Sequence, residues 1–474
     1  MSYTSVEFLA YLACAAAAYR LCPVRARSTL LLILSYLFYC TWDIRAAGLL
    51  AGATLFTFFA GKSVGDRPSH HRAELTAFLV VCLLTAYLMF FKIAAVMPGG
   101  EWGRVVMPLG LSYYTFKLIG YLVDIHWGKI QPEQRLVAFA AYVAFFPQIV
   151  AGPIQRAGDF LEQVPPDRMS IPDGVLRIAW GIFKKLVIAD SLAPGVAYVF
   201  AHVKDLHGAA LLTGFYLYPL QLYVDFSALT DIAIGTGLLF GIRSPENFNR
   251  PFTASSISAY WRRWHMSLTT WLTDYVFTPL RMATRYAGKI GLAFSITVNM
   301  VAIGLWHGLT WGYFTFGLVH SFYLIVDALS VKRRARFLSV RPKLDSLASG
   351  LGCILTFHMV ALALVFFRAR SVGDAAWLLS HALSHWSSLG ADLLQLAAAA
   401  GSHALVVGIA GYAILEIAER RRPDLWWRRT RPVVPRWVRW SVQSAVVTFL
   451  CVGVAMLLAQ PSGPNQHPFL YAIF

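Results

Sequence analysis

The chain has 474 residues, 57% of them hydrophobic and 14% charged, with a mean hydropathy of +0.57 and a formal net charge of +17. Apolar runs of about 20 residues recur along it, each long enough to cross a hydrocarbon core of roughly 30 Å. This excludes a soluble multidomain protein and predicts an all-α, polytopic integral membrane protein of about 11–13 membrane helices.

The basic excess does not point to nucleic acid. Arg and Lys concentrate in short loops at 20–27, 62–72, 331–345 and 419–439, as expected of loops on the cytoplasmic side of a membrane. Both termini are then expected outside. The first span has no basic segment before it, so it is read as a retained helix and not a cleaved signal. The six cysteines form no C-x-x-C pair and read as small buried hydrophobes.

In chain order, apolar spans are predicted at 6–20, 28–42, 46–61, 75–97, 105–123, 174–201, 209–224, 228–242, 289–306, 309–329, 347–367, 393–418 and 440–459, some of them re-entrant or broken. The first hundred residues read as scaffold, with Tyr36, Tyr39 and Trp42 at membrane interfaces. Lys117 is expected to snorkel to an interface. The stretch FFPQIVAGPIQR, 145–156, carries helix breakers in too few residues to cross and return, which predicts a re-entrant segment in a funnel wall. Polar residues at 157–173 predict a surface loop, and Lys184, Lys185 and Asp190 a broken or amphipathic helix.

The ionisable groups then gather. Asp225 and Asp231 interrupt an apolar run, His265 follows WRRW, and His307 falls near the middle of the apolar stretch beyond. Charged and imidazole groups are costly in lipid, so they face cavities or one another and mark sites. Capping aspartates and satisfied buried histidines are the plainer alternative. The glycines of GTGLLFG, 235–241, have neither nucleotide-loop spacing nor a preceding strand, so they are read as close helix packing. Arg262 and Arg263, between Trp261 and Trp264, suit either an anionic group such as a CoA phosphate or the membrane surface. No metal site is predicted: His320 is too remote from His307, and His381 with His385 reads as a surface helix. No G-x-S-x-G or H-E-x-x-H is present.

Taken together, DFSALTDIAIG (225–235), PENFNRP (245–251), WRRWHMSLTTW (261–271) and LWHG (305–308) resemble the bacterial membrane-bound O-acyltransferase family. The similarity extends through MPLGLSYYTF (107–116), FFPQIVAGPIQR and the final FLYAIF (469–474). It implies one acyltransferase domain over 1–474, with scaffold helices at 1–100, a catalytic core at 105–330, C-terminal helices at 331–459 and an external tail at 460–474. The implied reaction takes an acyl group from a cytoplasmic thioester, acetyl-CoA or an acyl-carrier-protein thioester, across the inner membrane to a hydroxyl of an envelope polysaccharide. No bound cofactor is implied.

In that reading His307 is the general base and His265 orients the donor or supports the funnel. Asp225, Ser227, Asp231, Asn247, Arg250, Trp261, Arg262, Arg263 and Trp306 are candidate donor or substrate contacts. The resemblance also makes Tyr471 an acyl carrier that hands the group to an external, serine-esterase-like partner enzyme. A phenol near pKa 10 ionises more readily than a sugar hydroxyl and makes a better leaving group. Two features pull apart on the acyl group. VNMVAIGLWHGLTW (298–311) is closer to the family's teichoic-acid D-alanyl transferases, whereas FLYAIF in the same chain favours polysaccharide acetylation. A transporter would show inverted repeats, and none is evident; a non-catalytic scaffold would not need both histidines in their motifs.

Overall fold

The computed structural model describes residues 3–65, 71–97, 107–165, 169–384, 389–420 and 441. Tyr471, His385 and, apart from residue 441, the predicted span 440–459 lie outside the described residues. Among the described residues all regular structure is helical.

The chain runs through α1 (Val6–Leu21), α2 (Arg27–Cys40), α3 (Ile44–Gly65), α4 (His71–Val96), α5 (Leu111–His126), α6 (Leu136–Ala144), α7 (Phe146–Ile149), α8 (Ala157–Leu161) and α9 (Ile171–Phe183). It continues through α10 (Asp190–Ala201), α11 (Gly208–Leu239), α12 (Ile257–Trp261), α13 (Met266–Leu272), α14 (Thr278–Ala283) and α15 (Gly288–His307). Then follow α16 (Trp311–Ser339), α17 (Asp345–Arg368), α18 (Val372–His381), α19 (Leu389–Ala400) and α20 (Ser402–Arg420).

Seven of these, α3, α4, α11, α15, α16, α17 and α20, are long and apolar enough to cross a membrane. Leu55, Phe59, Phe78 and Leu83 stand exposed on α3 and α4, the arrangement that lipid and not water rewards. Helices α1, α2 and α5 have 16, 14 and 16 residues. At 1.5 Å per residue they rise only about 21–24 Å.

The chain divides into two compact units. Among the described residues, the first holds those within 3–182 and 229–246, and the second those within 183–228 and 247–420.

In the first unit, α2 packs on α6, and α3 on α4 and α5. Lys117 corrects the snorkelling expectation: it is buried, and its Nζ donates to the Tyr142 carbonyl at 3.0 Å and Gln148 Oε1 at 2.8 Å. Neutral oxygens fixed at hydrogen-bond distance replace the water it would otherwise seek. The stretch 145–156 breaks after α6, makes the single turn α7 and continues extended. Its two glutamines are satisfied internally, Gln148 Nε2 donating to Gln155 Oε1 at 2.6 Å and Ser244 Oγ at 2.7 Å, and Gln155 Nε2 to the Arg243 carbonyl at 3.0 Å. Irregular backbone is tolerated in such a protein where it is buried in this way. Gly174 and Gly235 let α9 and α11 touch: a Cβ on either would fall within 2.8 Å of the other's carbonyl oxygen. The packing role expected of the GTGLLFG glycines therefore holds at Gly235.

In the second unit, Lys184–Ala189 forms a π-helical turn that joins α9 to α10, so the helix is widened and not broken. Lys185 Nζ lies 2.8 Å from both Asp225 and Asp190. The pairing bears on a second correction. The spans predicted at 209–224 and 228–242 are one 32-residue helix, α11. Asp225 was expected to interrupt it, but a carboxylate held by a buried ammonium can stay inside a continuous helix. Helices α15 and α16 form a tight hairpin. A Cβ on Gly304 would lie 2.2 Å from the Tyr313 carbonyl oxygen, and one on Gly317 2.7 Å from that of Met300.

Candidate active site

His265 ends the turn that follows α12. Its backbone is left-handed, with φ 43° and ψ 53°, and it caps the start of α13. Among the described residues only Arg250 shares a positive φ without being glycine. Two backbone bonds pin the turn to the preceding loop: Asn249 N donates to the Arg263 carbonyl at 3.0 Å, and Met266 N to the Asn247 carbonyl at 2.9 Å. Conformations of this kind persist where their surroundings over-determine them, as at functional sites.

His307 is the last residue of α15, followed by the three-residue turn Gly308–Thr310. Thr310 Oγ1 accepts from Tyr313 N and starts α16. This corrects the placement near mid-span and agrees with the break predicted between 289–306 and 309–329: the two helices form a hairpin, and His307 sits at its tip. Its ring packs edge-on to Trp306 and Phe367, with centroids 4.6 and 4.8 Å away, and 6.0 Å from Tyr313.

The two histidines line one small pocket with Leu222, Trp261, Trp264, Leu268, Ile303, Phe316, Leu364 and Phe367. Its walls come from α11, α12, α13, α15, α16 and α17. Apart from the imidazoles and the two indole N–H groups it is hydrocarbon and aromatic surface. Such a wall disfavours competing water beside the two imidazoles.

Burial drives the His265 pKa down to about 3, only partly offset by a hydrogen bond to its own backbone. The unfolded chain titrates near 6.5. Above that pH neither state binds the proton; between about 6.5 and 3 only the unfolded state does. Stability is therefore full above 6.5 and is lost as pH falls through this window, by roughly 1 kcal/mol per pH unit from this one group. Purified protein melted across pH 7 to 5 should show a steeper acid loss than His265→Gln; equal slopes would refute the burial of a neutral ring.

The sequence profile of the MBOAT, membrane-bound O-acyltransferase, family matches residues 133–344. The probable alginate O-acetylase AlgI of Azotobacter vinelandii is 36% identical over 385 residues, covering 76% of this chain and 73% of that one. The chain belongs to the membrane-bound O-acyltransferase family. This acyltransferase is also 29% identical to the peptidoglycan O-acetyltransferase of Helicobacter pylori over 73% of its length and 71% of the relative's. With the teichoic acid D-alanyltransferase of Streptococcus thermophilus it shares 27% identity over 71% and 82% of the two chains. It is a multi-pass membrane enzyme of O-acyl transfer.

The acyltransferase's structure brings three of the expected site residues, His265, His307 and Trp261, into the cavity wall. Trp306 lies against both imidazoles, with centroids 5.9 Å from His265 and 4.6 Å from His307. The other candidates among the described residues fall outside the wall, for identifiable reasons. Asp225 is engaged with Lys185. Ser227 Oγ donates back to the Val224 carbonyl at 3.2 Å, within its own helix. Asp231 accepts from Arg177 at 2.6 Å, and the same guanidinium binds Glu246. Arg250 Nε donates to Glu416 at 2.8 Å. Arg263 donates to Thr253 Oγ1 at 2.9 Å, while Arg262 is exposed. Asn247 is fully buried and its carbonyl oxygen is used by protein donors. Most of the charge that marks this region thus joins helices and loops.

Sequence reasoning does not single out Phe316 and Phe367, which form cavity wall, and weighs His320 only as a metal ligand. One turn after Phe316, His320 accepts from the Trp261 indole N–H at 3.3 Å. The i, i+4 spacing of Phe316 and His320 on α16 was the available signal.

Proposed function

We propose that this enzyme moves an acetyl group from a cytoplasmic thioester across the cytoplasmic membrane for O-acylation of a cell-envelope polysaccharide. The carrying observation is the single aromatic-walled cavity shared by His265 and His307. The names of the two acetylating relatives support acetyl as the acyl group.

His307 serves as general base. Its neutral imidazole takes the proton of the attacking hydroxyl as the oxygen bonds to the thioester carbonyl carbon. The tetrahedral intermediate collapses, the C–S bond breaks, and the thiolate recovers the proton from the imidazolium. The products are an ester and a free thiol, with the base restored. The basic loops support a cytoplasmic donor side and extracytoplasmic termini. On that orientation Tyr471 is the first acceptor, and its phenyl ester is passed to a serine-esterase-like partner outside.

The test uses sealed inside-out vesicles supplied with acetyl-CoA, with carrier-protein thioester in a parallel arm, and mass spectrometry of the intact enzyme and of polymer. Wild type should gain one acetyl mass, and Tyr471→Phe should neither gain it nor acetylate polymer at normal protein level. Normal acetylation by Tyr471→Phe would remove the carrier step, and a D-alanyl mass in place of acetyl would overturn the acyl assignment.

A further inference from the structure

We propose that Asn247 is a positioning residue that holds His265 as its Nδ1–H tautomer and so makes Nε2 the hydrogen-bond-accepting atom of that ring. The inference rests on the catalytic reading of the cavity given above and adds a residue and an orientation to it.

The hydrogen-bonding role of Ser267 N is unambiguous. A backbone N–H only donates. Ser267 N lies 3.2 Å from the Asn247 side-chain atom that also faces Ser267 Oγ at 2.9 Å and His265 Nδ1 at 3.1 Å. An amide oxygen accepts and an amide nitrogen donates, so the atom opposite that backbone N–H must be Oδ1. The flip of Asn247 is thereby set by chemistry and not by choice. If Oδ1 faces His265 Nδ1, then Nδ1 must supply the hydrogen. A neutral imidazole carries one N–H, which leaves the lone pair on Nε2.

The surroundings reinforce the assignment. Asn247 and His265 are 0% and 1% exposed, so water does not compete for either partner. The ring is clamped edge-on against Phe226, with centroids 4.8 Å apart, and against Trp306 at 5.9 Å. The left-handed backbone of His265 and the bond from Met266 N to the Asn247 carbonyl place the two residues within reach despite 17 intervening positions. One asparagine therefore fixes the backbone of the turn through its main chain and the tautomer of the ring through its side chain. An imidazole whose Nδ1–H is held by a fixed acceptor is fixed in orientation and tautomer, as metal-ligating histidines are by the acceptor on their other nitrogen. His265 then presents an acceptor to a substrate O–H or N–H.

The experiment is NMR of full-length enzyme in nanodiscs, labelled with ¹³C,¹⁵N-histidine, with the His265 signal assigned by its loss in His265→Gln. The expected wild-type signal is the Nδ1–H tautomer; an Nε2–H signal would overturn the proposal. Asn247→Leu should abolish that signature and lower acyl transfer about 10- to 100-fold, while Asn247→Asp, which keeps the acceptor oxygen, should retain it. In a His265→Ala background, Asn247→Leu should cost less than about 2-fold more, because its effect passes through the ring. An equal loss in both backgrounds would make Asn247 merely structural and sink the positioning role. If Asn247→Leu does not fold, the wild-type tautomer and the Asn247→Asp spectrum still decide. Full activity of His265→Ala would instead defeat the catalytic reading of His265, an outcome separable from the tautomer itself.

Discussion

Replacing His307 with alanine should reduce acyl transfer at least about 100-fold, the lower end of what a positioned general base contributes. The protein should still insert, purify and elute as wild type. The residue ends α15, so truncation leaves the helix interior intact, and its ring packs against Trp306, Phe367 and Tyr313, which remain. If His307 acts as base, donor binding should survive its loss, because the aromatic wall remains. Equilibrium binding of a non-hydrolysable thioester analogue, measured beside turnover, separates the two effects. Near-normal turnover in His307→Ala with complete loss in His265→Ala would reverse the roles assigned here.

The second large effect concerns stability. Lys185 and Asp225 are both almost fully enclosed, and the Lys185 ammonium touches Asp225 and Asp190 at 2.8 Å each. Asp225→Asn is expected to destabilise the protein by about 3 kcal/mol, since it leaves a buried ammonium without its principal counter-charge. Replacing both partners with apolar residues of similar volume, Lys185→Met with Asp225→Leu, should recover part of that loss, because the buried pair is then gone and Asp190, which also loses the ammonium, is 24% exposed and can be hydrated. Thermal retention of the monodisperse peak in detergent is the measurement. An Asp225→Asn protein as stable as wild type but inactive would return Asp225 to the substrate-binding role suggested by its motif.

Residues 220–307 show where sequence reading and structure part company. The histidines stand out because imidazole is rare in such apolar surroundings, and the aspartates stand out for the same reason. A pattern read along the chain gives both groups equal weight. In three dimensions they separate: His265 and His307 line one cavity, while Asp225 and Asp231 meet cations at Lys185 and Arg177, 40 and 54 positions away. Lys117 repeats the lesson. A lone lysine in an apolar helix suggested escape to an interface, and Gln148 and Tyr142 satisfy it where it stands.

By itself, the sequence determined that this is an all-helical membrane protein, that it is an O-acyltransferase, and that two motif-borne histidines are its candidate chemistry. Those conclusions depend on quantities summed over neighbouring residues, hydropathy over about 20 positions and short ordered motifs, which survive without knowledge of the fold. Tertiary structure alone decided that α11 is continuous through Asp225, that His307 shares one pocket with His265, and that Asn247 faces His265. Each depends on which side chains meet when separate helices pack. A buried charge or imidazole takes its role from the partner at about 3 Å, and no local pattern names that partner.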